Sequence, residues 1–240
     1  MSGTEKPKII FSLPCHEVAT CAWSDVAKNV IPQYLQGKNV DYRILYGNEA
    51  TAANIYKALQ ESNVKAFGGV GHGSNWLFTA QNYEVVFWTA WPDKAAYLRG
   101  KAFAPVSCLV GVQLVPWLVQ QGVPAGVGEV TEYYITSNGI LSFVRADTVF
   151  WVRLALGDTV ERAFRVSLDT YEEEAQNRER QGDTLTARFL RTDAQNRRLF
   201  GDRNWKRVEA PQPPQPPQPP QPPAWEEWEV ELTVPETTLR

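Results

Sequence analysis

Two residues in this 240-residue chain could do covalent chemistry together. His72 closes the apolar run Ala66-Phe67-Gly68-Gly69-Val70-Gly71 and is followed by Gly73. Cys108 closes a second run, Ala104-Pro105-Val106-Ser107, and lies 36 positions after His72. A thiol and an imidazole brought within reach form a nucleophile–base pair that attacks a carbonyl and returns the proton to the leaving group. At that separation only the fold can bring them together. Both runs are short, rich in small or β-branched residues and closed by turn chemistry, as expected of buried strands in a parallel sheet. Ligand crevices in such sheets lie beyond the carboxyl ends of the strands, so His72 and Cys108 are predicted to share one edge.

Other residues could complete or crowd that site. Glu17 and Asp25 follow the first predicted strand, which should neighbour the one ending at His72, so either could orient the imidazole. Each also reads as a solvated acid or a helix cap, and Asp25 is the stronger cap. Cys15, His16 and Cys21 cluster in sequence, but zinc needs a fourth ligand, and the chain's only other histidine is His72. No metal and no cofactor is expected. Glu129 and Glu132 follow the fifth predicted strand and could line a specificity pocket or face solvent. Trp76, Phe87, Trp88 and Trp91 could wall a cleft, with core packing the alternative for most of them.

The flanking pattern supplies the frame. Lys8 to Leu13 (KIIFSL) is the first predicted strand and Val40 to Tyr46 the second. Between them a loop over 14–23 precedes a helix capped at Ser24 or Asp25, with Pro32 expected to kink or shorten it. Thr51 can cap a second helix bearing Ile55, Ala58 and Leu59 on one face. The aromatic, partly alternating stretch from Asn75 to Trp91 reads as a hairpin or irregular lid. A crossover helix over 92–101 then leads to the strand ending at Cys108. Pro116 suits the first position of a short helix ended by Gly122, and Val123 to Val130 is the fifth, glycine-rich strand. A helix over about 141–156 follows, then one opened by Asp158 with Glu161 and running to about Arg180, and a late strand over 197–201 (RRLFG). Strands alternating with helices imply right-handed βαβ units. The predicted fold is α/β, a three-layer sandwich with a mostly parallel central sheet and helices on both faces.

Composition narrows the partners. The net charge of −3 gives no reason to expect nucleic acid or an anionic membrane surface. No apolar run approaches the roughly 18 residues of a membrane span. Ile9 to Leu13 is shorter than the core of about 7–15 residues that a signal peptide needs. Three cysteines, an odd count, do not suggest a disulfide scaffold, so reduced thiols and a cytoplasmic location are expected. The chain divides into a main domain over 1–208, a Pro-Gln repeat spacer over 209–223 and a tail over 224–240 with Trp225 and Trp228. The repeat suits polyproline II, an extended spacer of about 3.1 Å per residue. The tail reads either as disordered or as a docking strand for a protein partner.

These residues resemble the caspase-like cysteine peptidases, which include caspases, legumain, clostripain and gingipain. The shared pattern is an apolar strand ending in His-Gly, here Val70-Gly71-His72-Gly73-Ser74, then a strand ending in a small residue and Cys, here Pro105-Val106-Ser107-Cys108. The His-to-Cys spacing, Gly122 to Gly128 (GVPAGVG), Leu156 to Ala163 and Leu199-Phe200-Gly201-Asp202 look most like the gingipain-type branch. Two positions depart: Arg203 stands where the family has proline, and Val106 stands where caspases, legumain and clostripain place a polar or acidic residue that helps choose the substrate.

The resemblance implies a cysteine endopeptidase acting on a peptide or protein substrate. Cys108 is then the nucleophile, its thiol pKa lowered by the neighbouring imidazole and by a strand end turning toward a helix. His72 is the acid–base, and the backbone N–H groups of Gly73 and Cys108 form the oxyanion hole. Val106, Glu129, Glu132 and Trp76 are the candidate substrate-binding residues. A floor at Val106 with acidic walls predicts Lys or Arg before the cleaved bond. The alternatives are a non-catalytic binding or scaffolding protein acting through the proline-rich tail, and a thiol amidase or acyltransferase on small substrates.

Overall fold

The structure, a computed structural model, describes residues 5–206. The Pro-Gln repeat and the Trp225/Trp228 tail lie outside the described residues. Among the described residues there are eight strands: β1 (Lys8–Leu13), β2 (Asp41–Tyr46), β3 (Val64–Val70), β4 (Leu77–Thr79), β5 (Val85–Trp88), β6 (Ala102–Val106), β7 (Ala125–Glu129) and β8 (Arg197–Gly201). Six form one sheet in the order β2-β1-β3-β6-β7-β8. β2, β1, β3, β6 and β7 run parallel, and β8 closes the edge antiparallel to β7. β4 and β5 make a separate antiparallel hairpin, within the aromatic stretch where a hairpin or lid was expected.

Seven helices occur among the described residues: α1 (Val18–Leu35), α2 (Ala52–Leu59), α3 (Pro92–Ala95), α4 (Leu114–Gln120), α5 (Ile140–Ala155), α6 (Val160–Arg180) and α7 (Thr184–Asn196). The strands bury residues of both faces, as a doubly covered parallel sheet must. Ile9, Phe11, Ala104 and Val106 pack with α1, α5 and the start of α6, and Ile10, Phe67 and Phe103 pack with α2, α4 and the β4–β5 hairpin. Phe67 and Phe103, paired across β3 and β6, stack at 5.7 Å between ring centroids. The three-layer α/β sandwich is thus the observed architecture.

Several local expectations are corrected. α1 begins at Val18, seven residues before Asp25, because Glu17 is its N-cap: the carboxylate accepts the N–H groups of Ala19 and Thr20. Ser24 lies buried within the helix and donates its hydroxyl to the Pro14 carbonyl at 2.7 Å. Pro32 falls in the last turn, and the helix runs to Leu35, close to the expected end at Gln36. Pro116 is the third residue of α4, not the first. Thr159 caps α6, while Asp158 pairs with Arg153 at 2.5 Å. α7 was not anticipated. Its only buried residues are Thr186, Ala187, Leu190 and Asp193, too few apolar marks to show a helical period.

β1 and β3 are adjacent, which brings the loop after β1 beside His72. Their contact depends on Gly69, whose φ is +119° and where a Cβ would fall 2.7 Å from the Ser12 amide nitrogen. No helix among the described residues is long and apolar enough to cross a membrane.

Candidate active site

β3 ends at Val70 and β6 at Val106, paired in register, so His72 and Cys108 each follow by two residues at the same edge. Both line one cavity of about 80 Å³, whose other walls are Ala19, Thr20 and Trp23 of α1, Val70, Gly71, Val106, Ser107, Tyr133 and Ile135. A larger depression of about 540 Å³ lies elsewhere, over Leu59, Glu61, Asp93, Lys94, Tyr97 and Lys101, and no candidate residue reaches it.

Gly73 lies hard against the cysteine. A Cβ there would sit 2.6 Å from the Cys108 carbonyl oxygen and collide with Ser107 Oγ, so only glycine permits this approach. Gly73 faces Phe78 in an isolated antiparallel bridge. The bonds of that bridge run from Thr79 N–H to the His72 carbonyl (2.9 Å) and from Ser74 N–H to the Leu77 carbonyl (3.0 Å), so the N–H of Gly73 is not engaged by it. Leu109, directly after Cys108, has φ +62°. A branched side chain in the left-handed region marks a strained turn, and strain of this kind persists where surrounding structure holds it. Here Leu109 N–H donates to the Thr131 carbonyl at 2.9 Å and Gly111 N–H to that of Glu129 at 2.8 Å.

The imidazole has a carboxylate beside it. His72 Nε2 is 3.3 Å from Glu17 Oε1. Burial pushes the Glu17 carboxyl up, but the backbone N–H groups of Thr20 and Ala19 and the His72 charge outweigh it, and its pKa falls to about 2. Glu17 therefore serves both as helix cap and as neighbour of the histidine. Asp25 does not reach His72. It accepts from Lys28 Nζ (2.7 Å) and Tyr46 OH (2.6 Å). Tyr83, at φ +59°, stacks on the His72 ring at 5.0 Å, and His16 packs edge-on against Tyr83 at 4.6 Å.

Cys108 Sγ accepts the Tyr133 N–H at 3.3 Å. The thiol pKa is nevertheless raised: burial pushes it up, the Tyr133 bond pulls it down, and the charges of Glu132, Asp193 and Glu129 push it up again. This corrects the expectation of a lowered thiol. The helix meant to help begins only at Leu114, and acids rather than cations surround the sulfur.

The segment holding the sulfur rests on a buried polar cluster. Glu129 and Arg197 face each other across the β7–β8 ladder, with Oε1 and Nε 3.6 Å apart and both side chains almost fully buried. Asp147 accepts from Tyr133 OH (2.8 Å), Tyr171 OH (2.6 Å) and Arg197. Asp193 accepts the Tyr134 N–H at 3.1 Å. Burial drives the Glu129 carboxyl to about 8 and the Asp193 carboxyl to about 9.

Of the four predicted substrate-binding residues, the structure brings only Val106 to the cavity. Glu129 faces Arg197 instead, and Glu132 is exposed and accepts from Tyr134 OH at 3.2 Å. Trp76 is 48 % exposed and does not line the cavity. Phe87 is core, and Trp88 packs edge-on with Trp91 at 5.3 Å. Trp23, Tyr133 and Ile135 were missed. Only the aromatic pair Tyr133-Tyr134 just past a buried strand signalled that this segment could matter. Cys15 and Cys21 are joined in a disulfide, leaving Cys108 as the free cysteine. That corrects the reading of three reduced thiols. Their sulfurs and the Asp25 carboxylate lie within 4.8 Å of one another, but the bridge takes up both thiols as ligands.

The architecture matches solved structures. One is the complex of Porphyromonas gingivalis RgpB pro- and mature domains, at TM-score 0.51 and 12% identity, covering 83% of this chain and 48% of that one. The chain has the caspase-like fold. It spans about half the length of the RgpB chain it matches. A secreted C11 cysteine protease from Bacteroides thetaiotaomicron, in complex with an irreversible peptide inhibitor, also matches at 11% identity, covering 58% of this chain and 53% of that one. Its TM-score of 0.41 adds no further weight. No protein-family model and no curated protein matches the sequence.

Proposed function

We propose that the chain is a cysteine peptidase that hydrolyses peptide bonds in peptides or proteins through Cys108 and His72. The observation that carries this is the shared cavity, lined by thiol and imidazole from adjacent strand ends. Because the resting thiol is raised by burial, His72 takes its proton as Cys108 attacks, rather than meeting a preformed thiolate. The sulfur bonds to the carbonyl carbon and the oxygen becomes an anion. The N–H groups of Gly73 and Cys108 receive that charge, supported by the close approach at Gly73 and by a bridge that leaves its N–H unengaged. His72 then protonates the leaving amine, and a water activated by the same imidazole releases the acyl group. Glu17, 3.3 Å away, is a positioning residue that holds the ring and its positive charge.

The test is incubation of wild type, Cys108→Ala and His72→Ala with a diverse peptide pool. Cleavage by wild type alone is expected. Iodoacetamide should modify Cys108, at a rate still climbing past pH 9 in keeping with the raised thiol, and more slowly in His72→Ala. An alkylation rate that levels off below pH 8 would mean a preformed thiolate and overturn the general-base step.

A further inference from the structure

We infer that this site takes a small uncharged side chain on the acyl side of the cleaved bond, with Val106 and Ile135 setting the size limit. The inference rests on the peptidase reading above and names its substrate class. The attacked carbonyl carbon must lie against Cys108 Sγ. In the reading above the oxygen of that carbon turns to Gly73 and the leaving nitrogen to His72, which leaves the acyl Cα and its side chain for the rest of the space beside the thiol. That space is the cavity bounded by Trp23, Val70, Val106, Tyr133 and Ile135.

Size and charge restrict the occupant. The cavity, about 80 Å³, is roughly half the ~150 Å³ of a cavity that holds benzene. An aromatic ring or an extended Lys or Arg is too large for it. Apart from the His72 imidazole, its walls present no charged side chain of either sign. The acids nearby are committed elsewhere: Glu17 to its helix cap and His72, Asp25 to Lys28 and Tyr46, Glu129 to Arg197, Glu132 to Tyr134. A charge buried among these walls would lose its hydration with nothing opposite to replace it. The Ser107 hydroxyl is buried against Gly73 and offers nothing to the cavity, so the accepted class is small and apolar, Ala and Val. This replaces the Lys or Arg preference expected from the sequence, which needed acidic walls.

The experiment uses the full-length chain and a peptide library varied only at the residue before the scissile bond, with Cys108→Ala as blank. Ala and Val should give kcat/KM at least tenfold above Lys, Arg, Asp and Phe. Val106→Ala and Ile135→Ala should each shift preference toward Leu or Met, since one methylene in an apolar pocket is worth about 10–200-fold. Ile135 is half-buried, so its variant carries the test if Val106→Ala fails to fold. Preference for Lys or Arg would overturn the inference while leaving the peptidase reading intact. A wild type that cleaves nothing beyond the Cys108→Ala blank would bring down both. Variants whose profiles match wild type would remove Val106 and Ile135 as the size limit.

Discussion

Glu17 and Glu129 stand on two sides of the same sheet edge, and their carboxyls are driven in opposite directions. Glu17 sits at a helix N-terminus, where two backbone N–H groups and a histidine favour its charge, and its pKa falls to about 2. Glu129 ends a central strand, almost fully buried, with only a guanidinium 3.6 Å away, and its pKa rises to about 8. One residue type thus supplies a fixed negative charge beside His72 and a largely protonated acid behind Cys108. Burial alone does not decide a carboxyl's state; the donors it finds there do. The two acids also stand at different places: Glu17 faces His72, and Glu129 lies under the segment whose Tyr133 N–H holds the sulfur.

The largest effect should come from Arg197→Met. It leaves Asp147 buried without its cation, a loss of about 3–5 kcal/mol, or on the order of 10 °C in a domain of this size. Thermal melts followed by circular dichroism would show it. A shift below about 2 °C would mean that the cluster is not closed to water.

Next comes Glu129→Gln, whose effect depends on pH. The Glu129 carboxyl is raised in the folded state from an ordinary 4.5 to about 8. The folded protein therefore binds the proton more tightly, and this contribution to stability is fully present below 4.5 and lost as pH rises through about 8. Asp193, raised from 3.8 to about 9, behaves alike. The Gln variant escapes the ionisation. Its midpoint should gain on wild type from pH 5 to pH 9, by about 2–4 °C for each kcal/mol involved. Parallel curves for the two proteins across that range would contradict a dry Glu129.

The smallest effect is expected from Glu17→Gln, which keeps an oxygen for the helix cap but removes the charge beside His72. Peptide hydrolysis should lose about tenfold in kcat, near 1.4 kcal/mol, with KM little changed. An unchanged kcat would reduce Glu17 to a cap. In stability the sign is opposite to that of Glu129. The benefit of Glu17's lowered pKa is present above 4.5 and lost as pH falls through about 2, so wild type and variant should converge in strong acid.

Much of this molecule was legible in its residue pattern. The strand runs Lys8–Leu13 and Arg197–Gly201, the Thr51 cap and the βαβ order depend on neighbours in the chain, and the structure keeps them. The meeting of His72 and Cys108 at one edge was legible too, because parallel strands place their carboxyl ends together. What escaped depends on partners far apart in the chain. Nothing local distinguishes Glu129, which faces Arg197, from Glu132, which faces solvent, three residues on. Glu17 and Asp25 both stood as candidates, with Asp25 the stronger cap, until β1 and α1 turned Glu17 toward the imidazole and Asp25 toward Tyr46. The thiol's raised pKa, the Cys15–Cys21 bridge and the neutral walls of the cavity are likewise products of packing. Period and capping follow from the order of residues along the chain; charge state and pocket chemistry follow from which distant groups the closed sheet brings into contact, and which it leaves in water.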